Sequence, residues 1–136
     1  MAYWLAKTEP STYSWPRFVA EKKAVWDGVR NAQARNNLAA MKKGYEVLIY
    51  HSGEDRAVMG IAKVAKAAYP DPTAEGDPRW LSVDLVPVRA LASQVTLATI
   101  KQTPSLKEIA LIRQSRLSVM PLDDVSWATI LKLGKA

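Results

Sequence analysis

Short runs of apolar residues, some alternating with polar residues and some continuous, predict a series of strands separated by turns and helices. Residues 45–52 are almost continuously apolar, which indicates a strand covered on both faces. Residues 2–8 and 80–88 alternate, as half-buried strands do. The predicted strands are 2–8, 45–52, 57–69, 80–88 and 117–120. With helices between them, and no internal repeat or linker, the pattern predicts a single α+β domain over residues 1–136.

Capping residues and helical periodicity predict helices between these strands. The central helix should begin at Asn31, whose side chain can accept a bond from an orphan backbone N–H, and run to about Lys43 before Gly44. Its buried stripe should be Ala34, Leu38 and Met41. The other predicted helices are one capped by Ser14 with a stripe of Trp15, Phe18 and Val19, two short ones at 96–102 and 105–112, and a terminal one capped by Asp123 or Asp124 and ended by Gly134.

Glycine and proline predict where the strands bend or stop. Gly60, inside the strand 57–69, indicates a sharp bend or a close approach of another group to the backbone. Residues 70–79 have the composition of a loop, and Pro87 should mark the end or the edge of its strand.

The positive charge is concentrated in one part of the chain. The protein has 136 residues and a net charge of +6, of which residues 1–43 contribute +5 from eight Lys or Arg and three acids. Residues 71–84 are acidic instead. A basic region beside an acidic loop favours a nucleic acid as partner. The apolar runs are too short to span a membrane and no signal peptide precedes Tyr3, so we expect a soluble intracellular protein with no membrane partner, cytoplasmic in a bacterium and nuclear in a eukaryote. We also expect a monomer.

The residues needed for catalysis are sparse. The chain has one histidine and no cysteine, which disfavours zinc sites and thiol chemistry. Ser52 follows His51 on a predicted strand, so their side chains should point to opposite faces. No glycine-rich phosphate loop is present, and the fragments that resemble a nuclease pattern, residues 21–23 and 70–71, come in the wrong order. We therefore expect no enzymatic activity, no metal and no cofactor, with a nuclease-type hydrolase as the least favoured alternative.

Aromatic residues are abundant, with five Trp and five Tyr. Several fall at the ends of predicted segments, where they can line a pocket or pack in the core. The candidates for a pocket are Trp4, Trp26, Tyr50, Tyr69 and Trp80. Trp15 and Trp127 lie on helical apolar stripes and are predicted to be core. A base inserted between such rings gains roughly 1–3 kcal/mol by stacking.

Residues 26–37 combine the parts of a ligand site. Trp26 adjoins an Asp-Gly turn, and Asn31, Arg30 and Arg35 surround the predicted start of the central helix. An indole, an amide and two guanidiniums can hold a planar polar ligand beside a phosphate. Asn31 and Ser52, with backbone groups near Pro10, can supply hydrogen bonds to such a ligand. If these parts do not converge, Trp26 is a core residue and the arginines are solvated.

Five ordered stretches resemble one known family. They are residues 26–37 (WDGVRNAQARNN), 3–10 (YWLAKTEP), 50–52 (YHS), 68–72 (AYPDP) and 113–119 (RQSRLSV). Together they are similar to the signature of the EVE domain, a PUA-like family related to the YTH readers of methylated RNA. The resemblance spans nearly the whole chain. It implies a small mixed β-barrel of about five or six strands with helices packed around it.

The resemblance also implies a function and roles for particular residues. The domain would be a reader that takes a modified cytosine or a methylated adenine, in DNA or RNA, into an aromatic pocket. Trp26 would stack on the base, Asn31 would read its edge, and Tyr50 and Ser52 would line the wall. Lys7 and Glu9 would lie near the mouth of the pocket. The residues expected near the nucleic-acid backbone are Arg30, Arg35, Arg113 and Arg116.

Two questions stay open from the sequence. Arg113 and Arg116 can bracket a phosphate, or one of them can be buried against a carboxylate such as Asp27 or Glu9. The pocket can also serve a small-molecule or nucleotide sensor that binds no polymer. Such a sensor would lack the salt-sensitive affinity of a nucleic-acid reader.

Overall fold

A computed structural model describes residues 2–136 as six strands and five α-helices. In chain order they are β1 (Tyr3–Thr8), α1 (Trp15–Glu21), β2 (Ala24–Trp26), α2 (Ala32–Ala40), β3 (Glu46–His51), β4 (Ala57–Pro70), β5 (Leu81–Thr96), α3 (Leu97–Gln102), α4 (Ala110–Arg113), β6 (Val119–Leu122) and α5 (Asp124–Leu133), with a 3₁₀ turn at Pro104–Leu106 between α3 and α4. The predicted α+β class and strand number are confirmed.

All six strands belong to one sheet in the order β2-β5-β4-β3-β1-β6. β1 runs parallel to β3, and the other neighbouring pairs are antiparallel. The expected barrel is not closed, because within residues 2–136 the hydrogen-bonded ladder ends at β2 on one side and β6 on the other. β2 has only three residues, so this end of the sheet is short.

The core lies on both sides of β3. Val47, Leu48 and Ile49 are completely buried, which confirms the prediction for this continuously apolar strand. The predicted stripe of α2 (Ala34, Leu38 and Met41) is buried as well. Trp15 and Trp127 are core residues, as predicted.

Gly60 makes the close approach that the sequence predicted. A Cβ at this position would lie 2.4 Å from Cζ2 of Trp15, closer than real Cβ contacts allow. The β4–β5 register shifts beside Gly60, so the strand also bends there. α1 is therefore held against the sheet by an indole ring that packs directly on the backbone.

Local capping signals placed the ends of most helices correctly. The side chains of Ser14, Asn31 and Asp123 each accept a hydrogen bond from a backbone N–H in the first turn of α1, α2 and α5. Two helices differ from the prediction. The helix predicted at 105–112 is instead a 3₁₀ turn at Pro104–Leu106 followed by the short α4. α2 stops at Ala40 rather than near Lys43. Gly44, at φ +92°, belongs to the turn that follows, and its N–H bonds to Val64 of β4.

One further prediction was wrong, and another was right in part. Val19 was placed on the buried stripe of α1 but is 46% exposed, because Trp15 and Phe18 alone reach the core. Pro87 was expected at the end or the edge of a strand. β5 does not end there but continues to Thr96, whereas the edge is confirmed, because β2 pairs only with residues 83–85 and Pro87 is paired with β4 alone within residues 2–136. Pro87 lies beside a register shift between β4 and β5, where the ladder is irregular enough to accept a residue without an N–H.

Candidate nucleic-acid interface

A cavity of about 520 Å³ opens between the end of β1 and the edge strand β2. We call it the seam cavity, because it lies between β1 and β2, which are not neighbours in the sheet. Its lining residues are Lys7, Thr8, Glu9, Thr12, Tyr13, Glu21, Lys23, Ala24, Val25, Trp26 and Asp27. The cavity therefore lies beside the β2 edge of the open sheet, at the end of β1, where a ligand has room to enter.

Two aromatic rings contribute to the seam cavity. Trp26 is only 8% exposed, since its ring packs edge-to-face against Phe18 at 6.1 Å between centroids and against Tyr13 at 6.3 Å. Tyr13 is half-buried, and its hydroxyl donates to Oε1 of Glu21 at 2.9 Å. Burial and the bond to Glu21 raise the pKa of Tyr13 to about 12. Tyr13 therefore presents a neutral aromatic wall that is more accessible than Trp26.

Both cations and carboxylates line this cavity. Nζ of Lys7 donates to the backbone oxygen of Ser115 at 2.8 Å, and burial lowers the pKa of Lys7. Oε1 of Glu9 accepts from the N–H of Ser11 at 3.0 Å. Burial, together with the nearby charge of Asp71, raises the pKa of Asp27. Such a rim offers both donors and acceptors to the polar edge of a planar ligand.

The wall that carries Trp26 and Asp27 is fixed by a distant residue. Both carboxylate oxygens of the buried Asp71 are used, accepting from the N–H of Gly28 (2.8 Å), Nη1 of Arg30 (2.8 Å) and the N–H and hydroxyl of Thr73 (both 2.7 Å). Burial alone would raise the pKa of Asp71, but the bonds from Arg30, Thr73 and Gly28 outweigh it and lower that pKa to about 2. The β4–β5 loop thus holds the turn at residues 27–28 in place.

The other residues predicted for the base pocket lie around the seam cavity rather than in it. Tyr50 is buried behind Lys7, whose Nζ lies 5.9 Å from the centre of its ring. The N–H and hydroxyl of Ser52 both donate to the carbonyl of Thr8, a lining residue, at 2.9 and 3.3 Å. Pro10 follows Glu9 but is not among the lining residues.

Tyr69 also lies outside the lining of the seam cavity. Its hydroxyl donates to Oδ1 of the buried Asp84, and burial followed by this bond raises the pKa of Tyr69 to about 12. Asp84 also pairs with Lys23, which lines the cavity, at 3.5 Å. Tyr69 is therefore connected to the cavity through two charged residues.

Asn31 lies in a second cavity of about 310 Å³, which we call the amide cavity. Its lining residues are Asn31, Gln33, Arg113, Gln114, Ser115, Arg116 and Leu117. The bond from Lys7 to Ser115 joins a wall of one cavity to a wall of the other. Trp26 and Asn31, which are five residues apart, thus line two adjacent cavities.

The four arginines predicted for the backbone differ in their partners. Arg113 pairs with Glu108, whereas Arg116 has no carboxylate partner within residues 2–136, and both arginines are exposed. The suggestion that one of them is buried against Asp27 or Glu9 is therefore wrong. Arg30 is bound to Asp71, and the guanidiniums of Arg30 and Arg35 lie 5.6 and 5.8 Å from the centre of the Trp80 ring.

The single histidine has a structural role. Nε2 of His51 accepts the backbone N–H of Trp15 at 2.8 Å, so the proton of a neutral ring lies on Nδ1, 2.9 Å from the carboxylate of Asp55. Both ring nitrogens are thus used in fixing the start of α1.

The sequence did not indicate several lining residues of the seam cavity, among them Thr12, Tyr13, Glu21 and Lys23. Tyr13 lies in an irregular segment between Pro10 and Pro16, where no periodicity shows which way it points. An aromatic residue in a loop beside a recognised motif was the one available signal.

Comparison with known proteins identifies the family. A model of the EVE domain matches residues 2–133. The chain belongs to the EVE domain family. Thymocyte nuclear protein 1 of Homo sapiens is 33% identical over 165 residues, covering 97% of this chain and 73% of that protein.

Solved structures of other members have the same fold. A crystal structure of a protein from Agrobacterium tumefaciens is 40% identical with a TM-score of 0.96, over 98% of this chain and 93% of that one. The human THYN1 protein, crystallised in complex with DNA containing 5-methylcytosine, is 32% identical with a TM-score of 0.94, over 100% of this chain and 99% of that one. Among residues 2–136, no helix has both the length and the apolar character needed to span a membrane.

Proposed function

We propose that this EVE domain is a reader of modified nucleic acid that takes an extruded or single-stranded base into the seam cavity. The observation that carries the proposal is the pairing of this aromatic, mixed-charge cavity with a fold that matches human THYN1, crystallised with 5-methylcytosine DNA, over the whole chain. A modified cytosine in DNA is therefore the first ligand to test. A methylated adenine and an RNA strand are the other members of the ligand class.

The lining residues are suited to such a base. Tyr13 offers ring surface, and Trp26 offers the small part of its indole that is not packed in the core. Stacking on such rings contributes roughly 1–3 kcal/mol per base. Glu9 and Asp27 can accept hydrogen bonds from an exocyclic amino group, and Lys7 can donate to a carbonyl. A buried base needs such partners, because unpaired polar atoms are costly to bury.

The four arginines differ in whether a carboxylate of the protein already pairs with them, and therefore in how readily they can bind a phosphate. Arg35 and Arg116 have no carboxylate partner within the described chain, whereas Arg30 and Arg113 are paired with Asp71 and Glu108. We assign the first two as the principal backbone contacts and the other two as weaker ones, because a paired guanidinium must give up its partner to bind a phosphate fully. Asn31 then acts in the amide cavity rather than on the modified base.

We further propose that the domain binds without turnover and without a cofactor, since the lining residues of the seam cavity include aromatic rings, lysines and carboxylates but no histidine or cysteine to act as base or nucleophile. Such a reader would act as a monomer where its nucleic acid is, in the cytoplasm of a bacterium or in the nucleus of a eukaryote.

The test is fluorescence anisotropy with labelled oligonucleotides that differ only in one central base. Plain cytosine, 5-methylcytosine, adenine and N6-methyladenine would be compared in DNA and RNA at two salt concentrations. We expect tighter binding to one modified base, and weaker binding at higher salt because phosphate contacts release counterions. Equal binding to modified and plain bases would contradict the proposal. Equally tight, salt-independent binding of the free modified nucleoside would instead support a small-molecule sensor.

A variant connects this binding to the seam cavity. Tyr13→Ala should weaken binding of the preferred oligonucleotide by about tenfold, because it removes a stacking surface. Tyr13→Phe, which keeps the ring and loses only the bond to Glu21, should retain the preference. Tyr45→Ala is the matched control, since Tyr45 is also half-buried and lines neither cavity. If Tyr13→Ala and Tyr45→Ala bind alike, the ligand does not occupy this cavity.

A further inference from the structure

The amide cavity has the right position to take part in the same binding event. Lys7 lines the seam cavity, and its Nζ lies 2.8 Å from the backbone oxygen of Ser115, which lines the amide cavity. An ammonium has three N–H donors, so two remain after the bond to Ser115. A strand that enters both cavities would cross Lys7, whose free donors can then contact the phosphate between two nucleotides.

The side chains of the amide cavity are largely unused within the protein. The side chains of Gln33, Gln114 and Arg116 make no hydrogen bond within residues 2–136. Oδ1 of Asn31 accepts the N–H of Ala34 at 2.9 Å, which leaves its Nδ2 donors free. The cavity thus presents free amide donors and acceptors. Asn31 also caps α2 through its oxygen, whereas the fold makes no use of the exposed amides of Gln33 and Gln114.

The composition of this cavity favours a base over a row of phosphates. Glu108 neutralises Arg113, so Arg116 is the one lining cation without an acidic partner in the described chain. Amides of Asn and Gln bind base edges in a bidentate way, and a single Arg suits a single phosphate. A volume of about 310 Å³ is that of a small ligand pocket, larger than one phosphate needs.

We propose that the amide cavity is a second nucleotide subsite, which takes the nucleotide next to the modified base and reads its identity through Gln33 and Gln114. Arg116 binds the phosphate of that nucleotide. The inference rests on the proposed function, since it adds sequence context to recognition of the modified base. The domain would then discriminate both a modification and its neighbour.

The experiment varies the neighbours of the preferred modified base. Single-stranded oligonucleotides would carry each of the four bases on its 5′ or its 3′ side, and anisotropy would give the dissociation constants. Wild type should prefer one neighbour on one side by about fivefold or more, the lower end for a bidentate contact. The double variant Gln33→Ala/Gln114→Ala should lose this preference and keep its preference for the modified base over the plain one.

Gln94→Ala/Gln102→Ala is the matched control, because both residues are exposed glutamines outside the two cavities. It should bind as wild type does. The subsite proposal is overturned if wild type binds equally whichever base lies next to the modified one. It is also overturned if Gln33→Ala/Gln114→Ala keeps the wild-type preference for a neighbouring base. A double variant that loses affinity equally for all neighbours overturns it as well, since that result indicates contacts to the backbone only. Failure of the proposed function looks different, because wild type would then not distinguish modified from plain bases in any context.

Discussion

The two cavities lie side by side, yet the chain builds them in different ways. The seam cavity is lined by strand ends and by rings that belong to the core, and burial shifts the pKa values of two of its charged groups, Lys7 and Asp27. The amide cavity is lined mainly by exposed side chains at the start of α2 and in the turn at 113–117. In the seam cavity, binding and folding use the same residues. In the amide cavity, only some lining residues, such as the helix-capping Asn31 and the buried Leu117, also serve the fold.

This difference determines what substitutions can reveal. A change in the seam cavity alters packing as well as ligand contacts, so its effect on binding must be separated from its effect on stability. In the amide cavity, a change at Gln33, Gln114 or Arg116 removes an exposed side chain that makes no hydrogen bond within residues 2–136. Function can therefore be tested most cleanly in the amide cavity, and the coupling of function to fold in the seam cavity.

The sharpest test of the contrast is the stability of Trp26→Ala. Trp26 is almost completely buried against Tyr13 and Phe18, so its loss leaves a cavity and should lower the free energy of unfolding by about 3–5 kcal/mol. Gln114→Ala, in the amide cavity, should change it by less than about 0.5 kcal/mol. Urea unfolding followed by tryptophan fluorescence measures both values. Similar stabilities of the two variants would show that the cavities do not differ in this way.

A second test concerns Asp71, which fixes the wall of the seam cavity. Its pKa is lowered from 3.8 to about 2, so the stability that it contributes is fully present above its unfolded pKa and is lost as the pH falls from about 4 through about 2. This shift corresponds to roughly 2 kcal/mol. Asp71→Asn, which cannot titrate, should be less stable than wild type at pH 6 and nearly equal to it at pH 2.

The measurement for Asp71 is urea unfolding of both proteins at several pH values. Other acids with lowered pKa, such as Asp77 and Asp123, titrate in both proteins, so the difference between wild type and variant isolates Asp71. A difference that stays constant between pH 6 and pH 2 would mean that the Asp71 carboxylate is not stabilised by its bonds to Gly28, Arg30 and Thr73.

The features that the sequence predicted well are those decided by neighbouring residues. The caps at Ser14, Asn31 and Asp123 depend on one side chain and the turn that follows, and the prediction for Gly60 follows from its place in an apolar strand. A resemblance of five ordered stretches was enough for the family and the α+β class, which the comparisons confirm.

The features that the sequence did not predict depend on distant contacts. β2 has three residues, too few for a period-two pattern, so neither the strand nor the gap beside it could be recognised. Trp26 and Asn31 were assigned to one pocket because they are close in sequence. Their orientation is set at the intervening turn by Asp71, which is 43 residues from Gly28. No local pattern contains that information.

The smallest expected effect is a difference in salt dependence between variants of Arg113 and Arg116, which both line the amide cavity. Arg116 has no acidic partner in the described chain and Arg113 is paired with Glu108, so a phosphate should depend mainly on Arg116. Arg116→Gln should reduce the slope of log affinity against log salt by about 0.7 for a single-stranded oligonucleotide, the value for one phosphate contact. Arg113→Gln should change the slope less, because that guanidinium already has an anion beside it.

Anisotropy titrations at four salt concentrations measure both slopes, with Glu108→Gln as the control. Glu108→Gln frees Arg113 to bind a phosphate, so the salt dependence of its affinity should be steeper than that of wild type. Equal slopes for Arg116→Gln, Arg113→Gln and Glu108→Gln would mean that the pairing with Glu108 does not decide which arginine binds phosphate.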